Sequence, residues 1–312
     1  MRLVTFEKGQ KQGLGIWLDS LVMDVQAAGL FLLGQTPEGL EFASCCKSML
    51  SLLQAADETW ITLQKIARQI DQIRVTKQET LVAQGVLFPQ GTVQVLAPLP
   101  NPGKVICVAG NFPTSGSAQK PDFPIIFLKP SSTITGPGKP IWVSEMTQNV
   151  AYEVELAVVI GKCARHVSSA DALEVVAGYT LANDVGDRLL EKRTSQWTSG
   201  KMFDSFTPLG PWLITKEEIP QPNSLEMTTI VNGQVVQLGN TGDMYFTIPE
   251  LVSILSNLTT LQPGDLILTG STKLLAGQAN PMIALKPGDN VTIKIDGLGE
   301  LNNPVQKEPE CL

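Results

Sequence analysis

The sequence predicts an α+β fold in which strands dominate. Two observations lead there: short apolar, β-branched runs separated by Gly, Pro, Asn and Asp recur from residue 104 to about 305, and helical periodicity shows in only a few places. A third divides the chain. Residues 96–103 carry three prolines in eight positions, and proline removes a backbone donor and fixes φ, so this stretch reads as an extended connector. The expected organisation is a small N-terminal α/β domain over residues 1–95, a main domain over 96–305, and a tail over 306–312.

Taken in order, residues 3–6, 15–18 and 21–25 are short strands with turn residues between them. Trp60, Leu63, Ile66, Ala67, Ile70 and Ile73 recur at helical spacing and predict an amphipathic helix. After the connector, residues 105–109 form a buried strand that ends in a glycine-containing loop. Residues 168–177 are expected as a short helix with Ser169 and Asp171 near its start. Residues 248–258 are expected as another, with Pro249 in the first turn, where its missing N–H costs nothing. The Pro-Gly-Asp units at 263–265 and 287–289 suit type II turns between strands, with Asp265 and Asp289 as turn residues.

Composition excludes several classes. At 312 residues the chain can bury a large core, and 43% hydrophobic against 17% charged residues argues for a globular protein over a disordered one. A net charge of −7 with no Lys/Arg run argues against nucleic acid as a partner. No apolar segment approaches the roughly 18 residues of a membrane span. The start lacks a signal-peptide apolar region. The five cysteines are irregularly spaced and form no CxxC pair, which fits reduced thiols in a cytoplasmic protein and no structural zinc.

The chemistry concentrates in residues 152–161, Tyr-Glu-Val-Glu-Leu-Ala-Val-Val-Ile-Gly. This is a buried-strand sequence carrying two carboxylates two residues apart. Alternate strand side chains share a face, so Glu153 and Glu155 point the same way. Two ionised carboxylates on a buried face repel and lose hydration, and a hard divalent cation with oxygen ligands compensates both costs. Asp184, at the end of the apolar run 178–185, can supply a third oxygen. Further on, residues 200–211 surround Lys201 with aromatics and turn formers. The single histidine, His166, reads as a polar turn residue.

These pieces together resemble the fumarylacetoacetate hydrolase family. The matching blocks are Tyr-Glu-Val-Glu-Leu at 152–156, Ala-Asn-Asp-Val at 182–185, Lys-Met-Phe-Asp-Ser-Phe-Thr-Pro-Leu-Gly-Pro at 201–211, Asn-Thr-Gly-Asp-Met at 240–244, Pro-Gly-Asp-Leu-Ile-Leu-Thr-Gly at 263–270 and Leu-Lys-Pro-Gly-Asp at 285–289. The resemblance implies a mixed β-roll or β-sandwich core, a homodimer, and Mg²⁺, with Mn²⁺ or Ca²⁺ as alternatives, held by Glu153, Glu155 and Asp184. It also implies a small 2-oxo or 1,3-diketo acid substrate, Lys201 as a catalytic and substrate-binding cation, and Thr269 and Asn240 as substrate contacts.

One block departs from the family. Its Asn-Tyr-x-x-His-x-x-Glu, whose His–Glu pair activates water, stands here as Asn111-Phe112-Pro113-Thr114-Ser115-Gly116-Ser117-Ala118. Ser115 and Ala118 occupy the dyad positions, and a serine without an activator is no base near neutral pH. The expectation is therefore a metal-dependent hydrolase, lyase or isomerase of this family, tilted toward tautomerisation or lyase chemistry. The alternative is a catalytically weak paralogue serving binding or assembly.

Overall fold

The computed structural model describes residues 1–113, 119–272 and 284–310. Its larger sheet runs in the order Leu87–Pro89, Leu21–Asp24, Lys11–Leu18, Arg2–Lys8, Thr207–Thr215, Val176–Asn183, Val154–Ile160, Leu266–Ser271, Val105–Ala109, Ile125–Lys129. A second sheet runs Gln234–Asn240, Glu226–Val231, Asn290–Ile295, Gly299–Lys307, Ile141–Val143. Most neighbours are antiparallel, but Leu266–Ser271 lies parallel to Val105–Ala109. The α+β, mostly β fold is the one the sequence predicts.

The strand Val154–Ile160 shows why the layers form. All seven of its residues are buried, and they divide by alternation. Val154, Leu156, Val158 and Ile160 join a core shared with Met227, Ile293, Ile295 and Leu301 of the second sheet. Ala157 and Val159 join the core on the opposite face, with Leu52, Leu63, Ile66 and Ile70 from the N-terminal helices. A strand covered on both faces should be continuously apolar, and this one is, except at Glu155 near its start, with Glu153 just before it.

The N-terminal helices are set by local capping. Val25–Leu33, Pro37–Cys45 and Met49–Leu53 open on Asp24, Thr36 and Ser48, whose side chains accept backbone N–H groups two or three residues into each helix. The long helix Asp57–Ala83 contains the expected 60–73 periodicity and runs past it, through non-helical dihedrals at Lys77. Ile248–Leu258 opens with a capping box between Thr247 and Glu250.

One expectation is adjusted by the sheet, and two strands bear on the segment ends. Residues 168–177 form only one tight turn, Ala172–Val175, before the strand Val176–Asn183 begins; pairing with strands on both sides draws the β-branched Val176 into the sheet. Arg2–Lys8 pairs with both Thr207–Thr215 and Gln94–Leu96, so the segments on either side of residue 96 share one sheet. The strand Gly299–Lys307 carries two residues past 305. Both Pro-Gly-Asp units are turns as expected, with Gly264 at φ 89 and Gly288 at φ 97. Their aspartates accept from Gln262 N and Lys286 N at 2.7 and 2.9 Å.

Candidate active site

The three acidic residues read from the sequence meet at one point. Glu153, Glu155 and Asp184 each present a carboxylate oxygen, and these oxygens lie within 4.8 Å of one another. The backbone holds them there. Glu153 N donates to Asn183 Oδ1 at 2.9 Å, and Asp184 N donates to Glu153 O at 2.9 Å, so the start of one strand and the end of its neighbour clasp each other.

Glu155 is positioned by a bulge. It pairs with Ser271 while Ala157 pairs with Leu268, so the facing strand carries one extra residue. The extra residue is accommodated at Gly270, whose φ is 98. A Cβ there would meet Val108 O and Asn111 Cβ, each at 2.9 Å, so only glycine fits. The bulge aims Gly270 N at Glu155 Oε2, 2.8 Å away.

Cations surround the acids. Lys201 Nζ lies 2.6 Å from Glu153 Oε2 and 2.8 Å from Asp184 Oδ2. Lys129 Nζ lies 2.6 Å from Asp184 Oδ1 and donates to Val185 O and Phe206 O. Arg188 is paired with Glu153, and its Nη1 lies 2.8 Å from Glu191 Oε2. Arg188 and Glu191 sit on the short helix Arg188–Glu191, whose N-cap Asp187 accepts from Leu189 N and Leu190 N. Burial pushes the Asp187 carboxyl up, but the backbone N–H groups of Asn149, Leu190, Gln148 and Leu189 outweigh it and hold it below the usual range.

Electrostatically the three acids differ. Burial, then the neighbouring Asp184 and Glu153, push the Glu155 carboxyl well above its usual range against the opposing Lys201 and Gly270 N–H. Asp184 is equally buried, yet Lys129 and Lys201 more than offset that burial and keep it ionised. The Lys201 ammonium is opposed by burial but held protonated by Asp184 and Glu153. Among the described residues Glu155 therefore has an excess of negative neighbours and no ion-pair partner.

The cluster forms one wall of a cavity of about 350 Å³, completed by Val108, Ala109 and Gly110, by Phe127 and Trp197, and by Gln237, Ser271 and Thr272. Of the substrate contacts implied by the resemblance, Lys201 lines this cavity. Thr269 is fully buried and its Oγ1 donates to Leu156 O at 2.9 Å, while Asn240 Oδ1 caps the next turn through Gly242 N at 2.8 Å. Their segments reach the cavity through Ser271, Thr272 and Gln237 instead. Gln237 Nε2 donates to Ser271 Oγ and Thr272 O at 3.2 and 2.9 Å, so these three polar groups form one linked wall. Ser115 and Ala118 lie outside the described residues. His166 is exposed, with φ 55 and Nδ1 2.9 Å from Asn257 Oδ1, in the turn the sequence predicts.

Sequence reasoning missed Lys129 and Glu191. A lysine closing the apolar run Ile125–Lys129 was the available signal, since a buried lysine needs an acidic partner. Glu191 was marked only by its i,i+3 spacing from Arg188.

The family model for the fumarylacetoacetate (FAA) hydrolase C-terminal region matches residues 104–306. The chain belongs to the fumarylacetoacetate hydrolase family. Among its family relatives, human oxaloacetate tautomerase FAHD2A, a mitochondrial protein, is 42% identical over 233 residues, 73% of this chain and 74% of the relative. Oxaloacetate tautomerase YisK of Bacillus subtilis is 38% identical over 226 residues, 70% of this chain and 75% of the relative. Among solved structures, maleylpyruvate hydrolase from Sphingobium sp. SYK-6, in complex with manganese(II) and pyruvate, superposes with a TM-score of 0.71 at 28% identity, covering 99% of this chain and all of that one. Like these family members, the chain is an enzyme.

Proposed function

We propose that the chain holds one divalent cation, Mg²⁺ or Mn²⁺, through Glu153, Glu155 and Asp184, and interconverts the keto and enol forms of a small 2-oxo acid, with oxaloacetate as the leading substrate. The observation that carries this reading is the convergence of three carboxylate oxygens within 4.8 Å, one of them on a carboxyl that burial and like charges hold above its usual range. An all-oxygen donor set suits a hard cation, and a second positive charge opposite Glu155 relieves the repulsion that the lysines leave. When bound, the cation supplies Lewis-acid stabilisation of negative charge on the substrate's oxygens.

The chain's own residues do the rest. Lys201 places a fixed ammonium where negative charge grows during enolisation, and Lys129 holds Asp184 in line from behind. Arg188, anchored on Glu153, presents a guanidinium suited to the substrate's far carboxylate. Ser271 and Thr272 offer hydroxyls from the opposite wall. The aromatic faces of Phe127 and Trp197, whose ring centroids are 6.0 Å apart, narrow the space to a small acid. Tautomerisation moves a proton without activating water, which agrees with a chain that has Ser115 and Ala118 at the dyad positions. The expected homodimer and cytoplasmic location belong to the same proposal.

The test follows enol oxaloacetate by its ultraviolet absorbance in the presence of Mg²⁺. Purified protein should accelerate its decay to the keto form, and chelation should abolish the acceleration. Decay at the uncatalysed rate with metal bound would favour the weak-paralogue alternative.

A further inference from the structure

Gln237 stands on the edge strand of the second sheet, Gln234–Asn240, and is 1% exposed, yet its side chain reaches the wall of the acidic cavity. Its amide fits in only one orientation. Val154 N can only donate, and it meets Gln237 Oε1 at 3.4 Å, where Thr229 Oγ1 also donates at 2.7 Å. Thr272 O can only accept, and it takes Gln237 Nε2 at 2.9 Å. Nε2 is therefore the donor in its remaining contact, 3.2 Å to Ser271 Oγ. A glutamine amide carries no titrating proton, so this direction holds at any working pH.

The facing of the Ser271 hydroxyl follows. A hydroxyl has one proton and two lone pairs. Gln237 takes a lone pair, so the proton is left to be given elsewhere. Among the described residues the contact with Gln237 is the hydrogen bond that Ser271 Oγ makes, and no acceptor takes its proton. Ser271 lines the cavity beside Glu155, its partner across the sheet. Thr272, next along the same wall, is different. Its Oγ1 donates to Leu238 O at 3.3 Å, and a Cβ on Gly239 would collide with that oxygen. The Thr272 proton is thus committed to the protein, while the Ser271 proton is available to a ligand.

We propose that Gln237 is a positioning residue, which fixes the Ser271 hydroxyl as a donor to a carboxylate oxygen of the bound 2-oxo acid. This rests on the functional reading above and names the group that recognises the acid end of its substrate class. The second sheet thereby acts on the site without touching the substrate. Thr229 anchors Gln237, Gln237 turns Ser271, and Ser271 meets the ligand. A donor set in place beforehand needs no reorganisation when the acid arrives.

The test is a double-mutant cycle read by calorimetric titration of oxalate into Mn²⁺-loaded protein. Ser271→Ala removes the donor and should weaken oxalate binding at least about tenfold, in the range for a hydrogen bond to a charged group. Its Mn²⁺ affinity should stay within about twofold of the wild type, because the serine is not among the metal's proposed ligands. Gln237→Met keeps the length and removes the amide. It should weaken oxalate at least about fivefold in the wild-type background and less than about twofold in the Ser271→Ala background. Equal weakening by Gln237→Met in both backgrounds would make the glutamine merely structural and overturn the assignment. Oxalate held as tightly by Ser271→Ala as by the wild type would overturn it whether or not Gln237→Met folds. The cycle reads binding and not turnover, so a wild type that shows this coupling but leaves enol oxaloacetate to decay at the uncatalysed rate would sink the tautomerase reading alone.

Discussion

Lys129 and Asp184 form an ion pair of 2.6 Å in which the lysine side chain is wholly buried and the aspartate 2% exposed. The lysine comes from the strand at the edge of the large sheet, the aspartate from the end of a central one. The pair therefore ties the cavity's outer wall to the acidic cluster, and leaves Asp184's other oxygen to Lys201.

Removing one partner of such a pair leaves the other charge buried alone. Lys129→Met should destabilise the protein by about 3–5 kcal/mol, and the carbonyls of Val185 and Phe206 would lose a donor as well. Chemical denaturation checks it. A loss below about 1 kcal/mol would mean the pair contributes little net.

The acids give the metal-free protein opposing pH dependences. Glu155 is shifted upward on folding, so its contribution is full below its unfolded value and is lost as pH rises through the folded one. Asp184 is shifted downward, so its contribution is present above its unfolded value and is lost only as pH falls through the folded one. Above the usual carboxylate range, where Asp184 stays ionised and Glu155 is pushed upward, the Glu155 effect prevails, and metal-free protein should melt at lower temperature as pH rises through the folded Glu155 value. A saturating divalent ion should flatten this trend, because it favours the ionised carboxyl. Metal affinity should rise with pH over the same window. Differential scanning fluorimetry with and without Mg²⁺ measures both.

Gly270 is the point where the sheet bulges toward the site. Gly270→Ala forces a side chain into φ 98 and into contact with Val108 O and Asn111 Cβ. It should cost more than about 1 kcal/mol and withdraw the N–H from Glu155. Metal affinity should fall with stability in this variant, where a remote core substitution of equal cost would leave affinity unchanged.

The sequence carried much of this but unevenly. The run 152–161 was legible because a strand buried on both faces must be apolar, which makes two glutamates conspicuous. The helix near residue 60 was legible from its period. The three helices between residues 25 and 53 were not, because they are short and defined mainly by Asp24, Thr36 and Ser48 as caps. The turn at 168–177 was read as helix because local pattern carries no information about sheet pairing. Lys129 and Glu191 escaped for the same reason: each acquires its setting from segments that only the fold brings together. Ser271 lines the cavity beside a bulge that register alone reveals.

The central claim is that three carboxylates bind one divalent cation. Its most direct test is Mn²⁺ titration calorimetry on metal-stripped wild type and on Glu155→Gln, which keeps the shape and removes the charge. The account predicts one Mn²⁺ per wild-type chain and affinity weakened at least about 100-fold in the variant, beyond the range for losing an outer-shell contact. Wild-type protein that takes up no Mn²⁺, or a variant that binds it as tightly, would contradict it.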